Sequence, residues 1–176
     1  IYAIDFEYCG PDGEIPKIVC MVIEDLRSGE VSRYWQRDLL KMKTPPFETG
    51  GDVALISYFA PAEVQSMLAL GWDIDVPVID LFAEFRCQTN GNPNVGRKSL
   101  IGALQFFELD HLIPEEKDSM RNLILSGGPW SKPQRSAILD YCQQDVVALG
   151  PLLNAMLRNA PWSELQFNQA LLRGRY

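Results

Sequence analysis

An α/β fold with a mixed central sheet is what three features of this 176-residue sequence predict. Three short runs rich in β-branched residues, joined by turns, open the chain and read as an antiparallel meander. A strand, a helix and a further strand follow, a unit that adds parallel partners to such a sheet. Beyond them the apolar residues recur almost entirely at helical spacing, so helices must flank the sheet.

The first run is IYAIDFEY at residues 1–8, with the turn Gly10-Pro11-Asp12-Gly13 behind it. Residues 17–24 (KIVCMVIE) form the second strand, and after the turn at 27–30 residues 31–36 (VSRYWQ) form the third. Within residues 38–52, DLLKMK suits a helical turn and TPPFETGGD a loop. Residues 53–58 (VALISY) are apolar enough for a strand buried on both faces. Pro61 suits the start of the next helix and Gly71 its end, and residues 76–81 (VPVIDL) give a fifth strand. A helix is expected from Phe82, a loop over 89–96, and helices over 99–109 and 114–125, the last opening on the acidic turn PEEKD. Ser131 can cap a long helix through AILDYCQQDVVAL. Gly150-Pro151 should kink or restart it, because proline removes a hydrogen bond and clashes with the preceding turn. A final helix is expected from near Pro161 to the end.

Composition narrows the function classes. Apolar residues make up 47% of the chain, enough to bury one core, and the length suits a single domain. There is no apolar run of about 18 residues to cross a membrane and no basic-then-apolar leader. Starting inside a strand without Met, the sequence is expected to be a piece of a longer chain. Cys9, Cys20, Cys87 and Cys142 are scattered, and His111 is the one histidine, so the expectation is reduced thiols in an intracellular protein and no zinc site. A net charge of −7 argues against coating nucleic acid nonspecifically, although Arg86, Arg97-Lys98, Lys132 and Arg135 gather locally.

The chemistry starts from Asp5 and Glu7. Two apart on a strand, they point to the same face. Carboxylates side by side at a buried strand end repel, and both are costly to desolvate, unless a shared proton, a base or a divalent cation compensates. Other carboxylates can join them. Glu63 stands in the first turn of a helix, where the dipole alone would suit it. Asp80 ends the fifth strand, where capping the next helix would explain it. Tyr141 and Asp145 are four apart on the long helix and share a face. An Asp on a core-facing helix position is costly unless paired or bound to a metal.

In order and spacing, IDFE at the first strand, Glu63 after the fourth, and Tyr141-Cys142-Gln143-Gln144-Asp145 on a late helix resemble the DEDD superfamily of 3′–5′ exonucleases, tyrosine type. Nearly the whole chain resembles the proofreading domain of bacterial and phage family A DNA polymerases. That likeness implies a ribonuclease H-like fold, three antiparallel strands plus two more with flanking helices, and a single exonuclease domain spanning 1–176. The closing LLRGRY looks like the lead into a polymerase part of the same chain, in a bacterial or phage-infected cell. One motif departs: where the family commonly has Asn-x-x-x-Asp, Phe59 stands in the Asn place and Glu63 in the Asp place.

The resemblance further implies hydrolysis of phosphodiester bonds at a single-stranded or frayed DNA 3′ end, releasing nucleoside 5′-monophosphates. Two divalent cations, Mg2+ or Mn2+, prefer oxygen ligands and suit a site of carboxylates. Asp5 would bridge them, Glu7 and Asp145 would complete one, Glu63 would hold the other, and Tyr141 would orient the attacking water. Phe6, Tyr8 and Phe59 are candidates to stack on bases, and Arg97, Lys98, Lys132 and Arg135 to meet phosphates. Two alternatives stay open: an RNA-trimming nuclease like ribonuclease D, and a degenerate domain that binds a strand or braces a polymerase without cutting.

Overall fold

The structure is a computed structural model that describes residues 1–11, 13–72, 75–110 and 114–173. Asp12 of the first turn, His111 and the last three residues of LLRGRY lie outside the described residues. The strands are β1 (Tyr2–Cys9), β2 (Lys17–Asp25), β3 (Glu30–Trp35), β4 (Leu55–Ser57) and β5 (Val78–Asp80). They form one sheet in the order β3-β2-β1-β4-β5. β1 pairs antiparallel with β2, and β2 with β3, while β4 joins β1 and β5 joins β4 in parallel. The mixed sheet is the predicted one, with β1 at its centre.

Alternation along β1 divides the core. Ile4 and Phe6 pack with Met21, Ile23, Trp72 and Val78 on one face, beneath α1 (Gln36–Leu39) and α2 (Ala60–Ala69). Ala3 and Cys9 pack with Cys20, Val22 and the long helix α6 (Lys132–Asn159) on the other. The β1–β2 register slips between Glu7 and Tyr8. Glu7 faces Cys20 and Tyr8 faces Ile18, which leaves Val19 as the extra residue of a bulge and puts it with Cys20 in the α6-side core. The remaining helices are α3 (Leu81–Gln88), α4 (Leu100–Phe106), α5 (Pro114–Leu125) and α7 (Glu164–Arg173).

The fourth and fifth strands are shorter than the sequence suggests, and β5 ends where Asp80 caps α3: its side chain accepts from the N–H groups of Phe82 and Ala83. α7 starts at Glu164, three residues past Pro161, behind a reciprocal cap in which the Gln166 side chain accepts from Ser163 N–H and Ser163 Oγ from Gln166 N–H. The expected restart at Gly150-Pro151 does not occur, and α6 runs on through Pro151 to Asn159. Its start is fixed by a capping box between Ser131 and Gln134. Past the proline, Leu152, Leu153 and Met156 stay buried in the same core as Ile138 and Leu149, and that burial outweighs one lost backbone bond. Gly150 lets α6 close down, since a Cβ there would stand 3.0 Å from a Leu26 methyl.

Gly102 in α4 carries a sharper constraint: a Cβ there would run into the Arg97 carbonyl. Gly102→Ala must therefore displace the 97–99 segment, and we expect a loss of about 1–3 kcal/mol in urea unfolding. An unchanged midpoint would mean that this segment is not fixed as described.

Candidate functional site

The odd face of β1 meets α6 with acids where a core would place apolar residues. Asp5 and Glu7 are half-buried there between buried Ala3 and Cys9. Their partners across β2 are Val22 and Cys20, so no base stands opposite either carboxylate on that strand. α6 lays Tyr141, Cys142 and Asp145 over them. The Cys142 thiol donates to Asp5 Oδ2 at 3.3 Å. One ligand atom each from Asp5, Glu7 and Cys142 lies within 4.8 Å of the others. The Tyr141 hydroxyl faces the Asp145 carboxylate and favours its charged form.

α2 brings the next carboxylate. Glu63, in its first turn, is only 2% exposed and shares a hydrogen bond with Asp5. Its Oε2 is buried and meets no hydrogen-bond donor among the described residues. The turn leading into α2 is unusual: Phe59 sits at a left-handed φ of 83°, and its N–H donates to Asp80 Oδ1 at 3.1 Å.

Crowding and burial act together on these acids. Desolvation, then the charge of Asp145, pushes the Asp5 carboxyl up to about 7. Glu7 and Glu63 are held well above the usual carboxylate range, each by burial first and Asp5 second. Burial also raises Asp145, against the pull of Lys117. Lys117 Nζ donates to both Asp145 oxygens, at 3.0 and 2.7 Å, and stands 5.5 Å over the Tyr141 ring. Burial, then Asp145, keeps the Tyr141 hydroxyl protonated far above its ordinary range. The donor set is hard, oxygen-rich and short of positive charge, and it ends in an unpartnered buried oxygen. The acidic side chains suit a hard divalent cation: ligand atoms of Asp5, Glu7 and Cys142 lie close enough to share one, with Glu63 and Asp145 beside them.

The structure thus brings together Asp5, Glu7, Glu63, Tyr141 and Asp145. Two grooves flank them. One, of about 430 Å3, is lined by Asp5, Tyr58, Phe59, Phe82 and Lys98. The other, of about 550 Å3, is lined by Glu7, Tyr8, Arg97, Lys117 and Arg121. Phe59 and Tyr8 are 48% and 39% exposed, so both rings are accessible. Phe6 is not: it is 4% exposed and packs on Trp72 at 6.4 Å, on the sheet face opposite Asp5 and Glu7. The stacking role expected of Phe6 is therefore corrected, and alternation along β1 is the reason. Lys98 turns inward, with its Nζ donating to Thr89 Oγ1 at 3.0 Å.

Lys132 and Arg135 stand at the far end of α6, roughly 20 and 15 Å from Asp145 at 1.5 Å per residue. Arg135 there bonds the Trp130 carbonyl and lies over the Trp35 ring, tying the start of α6 to β3. Arg86 lies over the Phe82 ring. Asp80 proves to be the helix cap, with Phe59 N–H added to its partners. Sequence reasoning missed Lys117, Cys142 and Arg121. A lysine 28 residues before Asp145 carries no local spacing signal, whereas Cys142 lies inside the Tyr141–Asp145 motif and was legible as facing the first strand.

A carboxyl whose folded pKa is raised keeps its proton where the unfolded chain has released it, so its contribution to stability falls as pH rises. For Asp5 the window runs from 3.8 to about 7. With chelator present, we expect thermal stability to fall between pH 5 and pH 7.5. Asp5→Asn should flatten that slope and stabilise the protein by about 1–2 kcal/mol at pH 7.5. A variant with the parent's slope would contradict the assignment. Phe6→Ala should cost about 3–5 kcal/mol in urea unfolding, as a core aromatic does. A change near zero would put the ring back on the surface.

No protein-family model and no curated protein sequence matches the chain. Solved structures do resemble it. One, described as the apo form of the nuclease, superposes with a TM-score of 0.67 at 15% identity, covering 98% of this chain and 78% of that one. Another, the Nibbler EXO domain of Aedes aegypti, gives a TM-score of 0.49 at 11% identity, covering 98% of this chain and 84% of that one. At such identities the likeness is one of fold, carried by the first of these structures: the five-stranded mixed sheet with its helices is a ribonuclease H-like α/β architecture.

Proposed function

We propose that this chain is a 3′–5′ exonuclease dependent on divalent cations, acting on frayed or single-stranded DNA ends in the manner of a proofreading domain. The observation that carries the reading is the convergence of Asp5, Glu7, Glu63 and Asp145, from three elements, on one desolvated spot beside Tyr141. Such a cluster is costly to hold for stability alone. When bound, two Mg2+ or Mn2+ ions would activate water, neutralise the phosphoryl charge and stabilise the leaving oxygen.

The chain's own residues have distinct tasks in this reading. Tyr141 keeps its proton, so it acts as a hydrogen-bonding group that orients the attacking water and not as a base. The water oxygen forms its bond to phosphorus as the bond to the 3′ oxygen breaks. One proton of the water passes to solvent, the departing 3′ oxygen takes a proton from solvent and leaves as a hydroxyl, and a nucleoside 5′-monophosphate is released. The groove with Tyr58, Phe59 and Phe82 suits the terminal base, since stacking on aromatic rings tolerates any sequence. The groove with Arg97 and Arg121 suits the phosphates behind it. Residues 1–176 would act as one domain, working beside a polymerase part of the same chain. Among the described residues no helix is long and apolar enough to cross a membrane.

The test is incubation with a 5′-labelled strand in Mg2+, Mn2+ or chelator. Cation-dependent shortening from the 3′ end is expected, faster on a mispaired than a paired terminus; no shortening would sink the reading. A matched RNA strand decides the sugar preference. Asp5→Ala should lower the rate by on the order of 10³ or more. Glu63→Asp should keep measurable activity and Glu63→Ala lose about 10–100-fold. Full activity in Glu63→Ala would remove Glu63 from the site.

A further inference from the structure

Lys117 occupies a place that local rules disfavour. It lies at the start of α5, where the positive end of the helix dipole repels a cation. Its ammonium nevertheless turns onto Asp145, with Nζ at 3.0 and 2.7 Å from the two carboxylate oxygens. Both partners are largely withdrawn from water, at 25% and 18% side-chain exposure, so this is a desolvated ion pair and not a surface one. Lys117 also borders both grooves, at the junction where they meet the carboxylates.

We propose that Lys117 is the counter-cation of the metal-free site, which competes with a divalent cation for Asp145 and leaves that carboxylate when the cation enters. The proposal rests on the cation-dependent reading above. Both oxygens of Asp145 are engaged by the ammonium at hydrogen-bond distance, and a small divalent ion needs one of them at about 2.0–2.2 Å. Lys117 is thus a positioning residue. It keeps Asp145 in place over Tyr141 while the site is empty, and it sets how much cation is needed to load the site. Because Lys117 belongs to α5 and Asp145 to α6, the exchange also removes a link between those helices.

The test uses the wild-type protein without substrate. Amine acylation read by mass spectrometry is followed across a Mn2+ titration, with bound Mn2+ measured in parallel by electron paramagnetic resonance. Labelling of Lys117 should rise several-fold in step with Mn2+ binding, while Lys132 stays constant. Lys117→Met should bind Mn2+ about ten-fold more tightly, a difference of about 1.4 kcal/mol, and Lys117→Arg should stay near wild type. Mn2+ binding with constant Lys117 labelling, or equal affinity in the Met variant, overturns the proposal and leaves the nuclease reading standing. No Mn2+ binding by either protein overturns both.

Discussion

Like charges held together out of water are the constraint on which the rest of this structure depends. Asp5, Glu7, Glu63 and Asp145 meet where β1, α2 and α6 converge, and burial is the first cause of the raised pKa of each. The effective penalty of desolvating an ion is several kcal/mol, whereas a fully buried aliphatic or aromatic side chain returns about 1.5–3 kcal/mol. A cluster of this kind therefore has to be carried by packing elsewhere. The other face of the sheet is closed by Ile4, Phe6, Met21 and Trp72, and α6 is anchored on both sides of the site by Ile138, Leu149 and Met156.

Within the site, compensation is partial and comes in three forms. A proton is retained, since Asp5 is raised to about 7 and shares a hydrogen bond with Glu63. Neutral groups help, with the Cys142 thiol donating to Asp5 and the nearby Tyr141 hydroxyl favouring the charged form of Asp145. One ammonium, Lys117, pairs with Asp145. The cluster stays under-neutralised at neutral pH, and the buried Glu63 Oε2 without a donor is where the shortfall is plainest. In a chain with a net charge of −7, Arg97, Lys117 and Arg121 gather on one groove beside the carboxylates, together with Glu7 and Asp118.

Much of this was legible from local rules. Alternation placed Asp5 and Glu7 on one face, and the i, i+4 spacing placed Tyr141 with Asp145. Applied strictly, the same alternation assigns Phe6 to the opposite face, so its burial against Trp72 was legible as well. What could not be read was long-range. Lys117 and Asp145 sit on different helices, and no periodicity connects them. The passage of α6 through Pro151 likewise depends on tertiary burial of Leu152 and Met156, which overrides the local preference to break. Lys132 and Arg135 looked basic and near in sequence, yet a helix carries them away from the site at 1.5 Å per residue.

The departure at Phe59 and Glu63 takes its physical meaning from the backbone. Phe59 has φ 83°, a left-handed conformation that Asn adopts more readily than a bulky aromatic, so Phe at this position is the strained choice. The strain is held by Asp80, whose Oδ1 accepts from the N–H groups of Phe59, Phe82 and Ala83 and so ties the starts of α2 and α3 to the end of β5. Phe82 meets the Phe59 ring edge to face at 5.5 Å. The ring is still 48% exposed, so the core gains little from it. Strain of this kind sits at a turn that both starts the Glu63 helix and presents an aromatic to the groove beside Asp5. The same turn that gives up the expected Asn thus fixes where Glu63 enters the carboxylate cluster.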